Sequence, residues 1–230
     1  MIKREFRTEQ SLFISFDGPK GTGKTTILDG VHNKLKALGR DVVALCEKEL
    51  DPYRADTIEL LEQLSLAPNL ALETHICEQL AAGRAWITTH ILDGLHSGEI
   101  VLIDRWYPSD AAFRRLIPFE QVLDINRSRL VRNPDIAVAV TCAASMSWDR
   151  AHSRSRGLNS HVIQSFEQHR QCTEVFNLAA EKYGWCACIN DRTVSAAATE
   201  LVSHIERVTK EIPSGLSPVQ IRRPLLTHNT

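Results

Sequence analysis

Eight consecutive residues limit this chain more than any other stretch: Gly18-Pro19-Lys20-Gly21-Thr22-Gly23-Lys24-Thr25. They follow directly on an apolar run, Ser11–Phe16, and open a helical pattern of Leu28, Val31, Leu35 and Leu38 that closes at Gly39. The string fits G-x-x-x-x-G-K-[ST] in the strand–turn–helix setting that this pattern requires. Its glycines let the backbone curl until several N–H groups face one anion, and the helix N-terminus adds its positive dipole end. In such a turn Lys24 reaches the β- and γ-phosphates of a nucleoside triphosphate, and the Thr25 hydroxyl ligates Mg²⁺. Thr26 extends the expected nucleotide site, and Arg192, just after the last apolar run, is assigned to it as well.

A strand feeding a helix implies an α/β sheet, and the rest of the chain agrees. Asp41–Cys46, Ile100–Ile103, Ile136–Thr141 and Trp185–Ile189 are short, apolar and rich in β-branched residues, as strands of a parallel sheet covered on both faces must be. Leu72, Ile76, Leu80, Ile87, Ile91 and Leu95 mark a long helix closed by Gly98, and Val194, Ala198, Leu201, Ile205 and Val208 mark the last one. The alternation predicts a doubly wound, five-stranded parallel sheet with right-handed crossovers. Residues 1–210 read as one domain, with a lid around 147–160. Residues 211–230 carry three prolines and no periodicity, and read as an extended or disordered tail.

Composition excludes several classes of function. With 27 Lys plus Arg against 28 Asp plus Glu, the chain has no global attraction for nucleic acid or anionic lipid. No apolar run approaches the roughly 20 residues of a membrane span, and the charged N-terminus lacks a signal-peptide core. A cytoplasmic protein with neither nucleic-acid nor membrane partner is expected. Six cysteines without a CxxC pair, and nine histidines without an HExxH cluster, read as reduced thiols and solvated or core rings rather than a structural metal site.

Two further segments carry chemistry beside the glycine-rich turn. The third apolar run ends in Asp104-Arg105-Trp106. An Asp at a strand's carboxyl end beside a phosphate loop is placed to hold Mg²⁺ or its water, and Arg105 aims a bidentate fork at an acceptor phosphate. The bland alternative is a surface Asp–Arg pair. Ser147–Arg156 is a helical run in which Arg150 and Arg154, four apart, share one face, with Arg156 beyond them and a hinge at Gly157, Asn159 and Ser160. It reads as an arginine-bearing flap that closes over triphosphate and expels water. A solvated basic face or a nucleic-acid contact is the competing reading.

Over residues 11–208 these features resemble the thymidylate kinase family of nucleoside monophosphate kinases. Asp104-Arg105-Trp106-Tyr107-Pro108-Ser109-Asp110-Ala111-Ala112-Phe113 is similar to that family's D-R-[YW]-x-x-S-x-x-A-[YF], and Ala81-Ala82-Gly83-Arg84-Ala85 to its A-A-D-R-A. The resemblance implies transfer of the ATP γ-phosphoryl group to a nucleoside 5′-monophosphate with Mg²⁺, and a homodimer through the long helices. It assigns Lys24, Thr25 and Asp104 to ATP and metal, Arg150 to the adenine or the donor phosphates, and Arg154 with Arg156 to the transferring group. Arg105, Arg84, Ser109, Phe113 and Arg114 go to the acceptor, and Asp17 matches a family carboxylate at the end of the first strand. The acceptor side departs from the family. Leu80 stands where an aromatic stacks on thymine, Cys46–Asp51 replaces R-E-P-G-G-T, Arg114 replaces a Gln, and D-R-x-E is missing after Gly157. Lys20 replaces an acidic or neutral residue of the phosphate loop. A small-molecule nucleotide other than dTMP is the expected acceptor.

Two other functions stay open at this point. Glu47, just after the second strand, stands where related deoxynucleoside kinases carry a base, which a hydroxyl acceptor needs and a phosphate does not. A nucleotide-binding regulator with little turnover would keep the loop and lose the transfer.

Overall fold

The computed structural model describes residues 10–155, 160, 162–191 and 193–211. Five parallel strands, β1 (Leu12–Asp17), β2 (Val42–Cys46), β3 (Ile100–Asp104), β4 (Ile136–Thr141) and β5 (Cys186–Ile189), lie in the order β2-β3-β1-β4-β5. Each lies within a residue of the run that predicts it. Around them run α1 (Lys24–Ala37), α2 (Glu47–Leu50), α3 (Arg54–Leu66), α4 (Leu70–His90), α5 (Tyr107–Phe113), α6 (Phe119–Ser128), α7 (Ala144–His152), α8 (Phe166–Lys182) and α9 (Val194–Glu211).

Strand alternation divides the core. Ile14 and Phe16 of β1 pack with α1 and α9 on one face, through Ile27, Val31, Ala198 and Ile205. Phe13 points the other way, against Val101, Ile87 of α4 and the fully buried Trp106. Burying both faces is what makes β1, the central strand, apolar at Leu12, Phe13, Ile14 and Phe16 alike. The order 2-3-1-4-5 reverses direction around β1, so a crevice opens outside the carboxyl ends of β1 and β3.

Two helix boundaries differ from expectation. The long helix ends at His90. Ile91 leaves helical geometry at φ −122°, ψ −62°, and Leu92–Gly94 form a short 3₁₀ turn that drives Leu92 into the Phe13–Trp106 cluster. The run Ile87-Thr88-Thr89 is β-branched and weakens the last turns, so burial of Leu92 decides the break. Helix α7 stops at His152, where Ser153 turns its hydroxyl onto the Arg150 carbonyl (3.2 Å). Arg154 therefore lies beyond the helix, and the shared face expected for Arg150 and Arg154 does not form. Helices α2, α3, α5 and α6 were not marked by the apolar periodicity. Residues 1–9, 156–159, 161, 192 and 212–230 lie outside the described residues, among them Arg156, Gly157, Asn159, Arg192 and the expected tail.

Candidate active site

The first turn of α1 is built as the glycines require. Gly21 and Gly23 stand at φ +83° and +88°, where a β-carbon is strained, and neighbours fill the space it would occupy. At Gly21 that neighbour is the Ser147 carbonyl of α7, and at Gly23 it is the Asn190 amide. Asn190, one residue past β5, donates from Nδ2 to the Thr22 carbonyl (2.7 Å) and so clasps the loop from the far side. The loop also braces itself. The Thr22 hydroxyl and the Lys24 ammonium both donate to the Pro19 carbonyl, at 3.0 and 2.8 Å. Lys24 is buried, and burial, then the nearby Arg105, push its pKa well below the usual lysine range.

Beside this turn the Thr25 hydroxyl donates to Asp104 Oδ2 (2.6 Å), bringing together the two residues expected to face a metal. The other oxygen, Asp104 Oδ1, is buried without a hydrogen-bond partner. Asp17 ends the first strand as expected, but it faces the protein interior. It is fully buried at the end of β1, where Oδ1 accepts the Trp106 and Ser109 N–H groups (both 3.0 Å), and it is absent from the cavity wall. Ser109 in turn accepts the Gly18 N–H (3.0 Å). Asp17 and Ser109 thus lock the start of the phosphate loop to the turn after β3.

Arg105 sits in that turn at φ +73°, a left-handed conformation rare outside glycine, and its guanidinium lies 5.2 Å above the Phe113 ring. It forms no ion pair among the described residues. Lys20, Gly21, Gly23, Lys24, Thr25 and Thr26 on one side, and Cys46, Glu47, Leu80, Arg84, Phe113 and Arg114 on the other, enclose a cavity of about 400 Å³ with Arg105 between them. Arg154 lines it too, together with Ala151, Ser160 and Val162. Arg150 stays outside, its Nη1 on the Asn190 carbonyl (3.4 Å).

The cavity wall away from the phosphate loop holds two arginines that are already engaged. Arg84 was read as a cation awaiting the acceptor, but it is buried and already held, by Glu47 (2.5 Å), Asp110 (3.2 Å) and Asn126 (3.2 Å). Arg114, at the end of α5, is likewise engaged: it forks onto Asp110 of the same helix. Burial alone would raise the Asp110 carboxyl, yet Arg114 and Arg84 outweigh it and hold the pKa below the ordinary 3.8. Glu47, with the single cation Arg84, is pushed up by burial. Arg84 and Arg114 thus have their counter-charges within the protein, whereas Arg105 has no ion pair among the described residues.

Sequence reasoning also missed Asp51. A β-carbon on Gly83 would lie 2.3 Å from Asp51 Oδ1, so the absence of a side chain at Gly83 is what admits this carboxylate to the wall. The signal was present: Gly83 stands where A-A-D-R-A has its Asp.

The geometry has independent counterparts. Residues 16–200 match the family model of thymidylate kinase. The chain is 29% identical to the thymidylate kinase of Bacillus velezensis over 180 residues, covering 75% of this chain and 83% of that protein. It is 27% identical to that of Desulfotalea psychrophila over 171 residues, 74% of this chain and 82% of the relative. A phosphate loop, a strand-end Asp–Arg pair and a shared cavity, matched along most of the chain, identify a nucleotide-kinase phosphotransferase that belongs to the thymidylate kinase family.

Proposed function

We propose that this protein transfers the γ-phosphoryl group of ATP to a nucleoside 5′-monophosphate, and that ordinary dTMP is a poor acceptor. The observation that carries the reading is the cavity itself, in which Arg105, without a carboxylate partner among the described residues, stands between the phosphate loop and the apolar, ion-paired acceptor end. Phosphoryl transfer asks little covalent chemistry of a protein; positioning and charge stabilisation supply the rate. Lys24 neutralises the β- and γ-phosphates, Arg105 forks onto the acceptor phosphate, and Arg154 reaches in from the lid. Arg150 would have to leave the Asn190 carbonyl to join them.

Mg²⁺ fits the residues present, because Asp104 Oδ1 is a buried carboxylate oxygen without a partner and the Thr25 hydroxyl lies against the same side chain. Thr25 and Asp104 would hold it, and a bound divalent ion neutralises phosphate charge. Against dTMP stand Leu80, where an aromatic would stack, and Arg84, whose hydrogen bonds go to Glu47, Asp110 and Asn126. Loss of base stacking removes about 1–3 kcal/mol in comparable settings. A cytoplasmic homodimer completes the reading.

One observation favours a hydroxyl acceptor instead: Glu47 lines the cavity, and burial raises its pKa toward that of a useful base. Its Oε1 is held by Arg84, however, which blunts it as a base. ADP release with ATP and Mg²⁺, measured against panels of nucleosides and monophosphates, separates the readings. We expect a monophosphate to be used, Lys24→Ala to lose about 10²–10³ in kcat, and Arg105→Ala to raise the acceptor KM more than that for ATP. Efficient use of a nucleoside, abolished by Glu47→Gln and spared by Arg105→Ala, would overturn this assignment. ADP release indifferent to every acceptor would leave a nucleotide-binding protein without transfer.

A further inference from the structure

Helix α7 leads into the lid, and α8 receives the chain after it. The two are joined at their base by one buried polar contact. His169 of α8 is fully buried, and its Nε2 lies 2.8 Å from the hydroxyl of Ser147, itself fully buried in α7. Trp148 flanks the contact, its ring 5.5 Å from His169, 5.8 Å from Phe166 and 4.0 Å from His152. The same Ser147 presents its backbone carbonyl to the phosphate loop so closely that only a glycine fits at position 21, where a β-carbon would lie 1.8 Å away.

The proton positions follow from the partners. Ser147 has one hydroxyl proton and two helical carbonyls behind it, Ala144 at 3.1 Å and Ala143 at 3.3 Å. With that proton directed back along α7, His169 Nε2–H donates to Ser147 Oγ, and His169 Nδ1 is left as a bare buried acceptor without a partner. The opposite arrangement would bury an orphan N–H, the more costly choice. Burial, then His152 and Lys24, lower the His169 pKa, which keeps the ring neutral in this arrangement.

We propose that His169 is a positioning residue for phosphoryl transfer. Through Ser147 it fixes where α7 crosses Gly21, and so fixes the base from which Arg150 and Arg154 are delivered. The role rests on the kinase reading above, but its structural part can be tested without turnover. A register error of about 1 Å at a reacting centre costs on the order of 10²-fold in rate.

The experiment compares full-length wild type, His169→Leu and His169→Gln. The Gln amide can place a donor where Nε2–H stood; Leu cannot. Kinetics are run well below each variant's melting temperature and expressed per folded molecule. Amide hydrogen exchange over Ala144–His152 is followed with and without a non-hydrolysable ATP analogue. We expect His169→Leu to lose about 10-fold to 100-fold in kcat with the KM for ATP within about twofold, and to lose nucleotide-dependent protection of α7. His169→Gln should recover both. A ring that merely fills the core would lower the melting temperature alone, so unchanged kcat in the Leu variant, or equal losses in Leu and Gln, overturns the proposal. If His169→Leu does not fold, Ser147→Ala removes the other half of the contact and carries the same expectations. A wild type that transfers to no monophosphate, yet shows this exchange pattern, would retire the kinase reading and sustain the clasp.

Discussion

Arg105 offers the sharpest test of how the site is built, because its backbone and its side chain can be perturbed separately. At φ +73° an L-residue carries about 1–2 kcal/mol of strain that glycine does not. Arg105→Ala and Arg105→Gly both delete the guanidinium above Phe113, a cation–π contact worth about 0.5–1 kcal/mol on a half-exposed site. Glycine relieves the strain but gives the unfolded chain about 0.4–1 kcal/mol more freedom. The difference leaves Arg105→Gly more stable than Arg105→Ala by about 0.5–1 kcal/mol, or roughly 2–3 °C for a chain of this size. Against wild type, the lost cation–π contact and the relieved strain nearly cancel in Arg105→Gly, whereas Arg105→Ala falls below. Both variants should lose acceptor-dependent ADP release alike. Urea denaturation measures the first contrast and ADP release the second. An Ala variant as stable as the Gly variant would refute the claim that this turn stores strain to aim the guanidinium. A Gly variant that keeps full turnover would refute the role of the guanidinium itself.

The remaining predictions concern buried charge. Lys24→Met removes an ammonium that burial disfavours and loses only its bond to the Pro19 carbonyl, so without nucleotide it should stabilise the fold by about 1–2 kcal/mol while abolishing transfer. Because the folded pKa of Lys24 lies below 10.5, wild type should gain on the variant as pH rises toward 10.5; a gap that widens instead would contradict the argument. Asp110→Asn leaves Arg84 and Arg114 short of an anion and should cost about 3–5 kcal/mol at neutral pH. The Asp110 carboxylate has a depressed folded pKa, so its contribution is present above pH 3.8 and lost as pH falls below that value; urea curves must show the wild-type–variant gap shrinking there. Asn190→Ala orphans the Thr22 carbonyl and should cost about 1–3 kcal/mol and raise the KM for ATP, while leaving the acceptor KM in place.

What could be read in the sequence was what chemistry demands locally. A phosphate loop needs its glycines, Lys24 and Thr25 within eight residues, and the five strands need apolar runs because both sheet faces are covered. The acceptor end obeys no such string. Its ion pairs join Glu47 to Arg84 across 37 residues and Arg84 to Asp110 across 26, so neither period nor spacing announces them. Arg84 is therefore visible as a residue and invisible as half of an ion pair. The lid shows the opposite failure: Arg150 and Arg154 have the right helical spacing, but Ser153 ends the helix between them. Helices α3 and α6 escaped because few of their side chains are buried; Thr57 and Leu64 in one, Val122 and Asn126 in the other.

The same ion pairs divide the cavity electrostatically. Glu47 and Asp110 neutralise Arg84 and Arg114, so the acceptor end as a whole carries little net charge from these four groups. Lys24 and Arg105 form no ion pair among the described residues and stand at the loop side. Lys24 and Arg105 thereby offer positive charge beside the phosphate loop, while Leu80, Asp51 and Phe113 shape the wall away from it. A phosphate beside Arg84 and Arg114 would find both guanidiniums already engaged by Glu47 and Asp110, while one at Arg105 would meet a guanidinium with no ion pair among the described residues. On the proposed reading that difference would orient the acceptor, because a charge-assisted fork onto phosphate is stronger than a neutral hydrogen bond. Glu47 is then better understood as the counter-charge that keeps Arg84 from competing for phosphate than as a base: neutralising it as Gln should misdirect the acceptor before it slows any proton transfer.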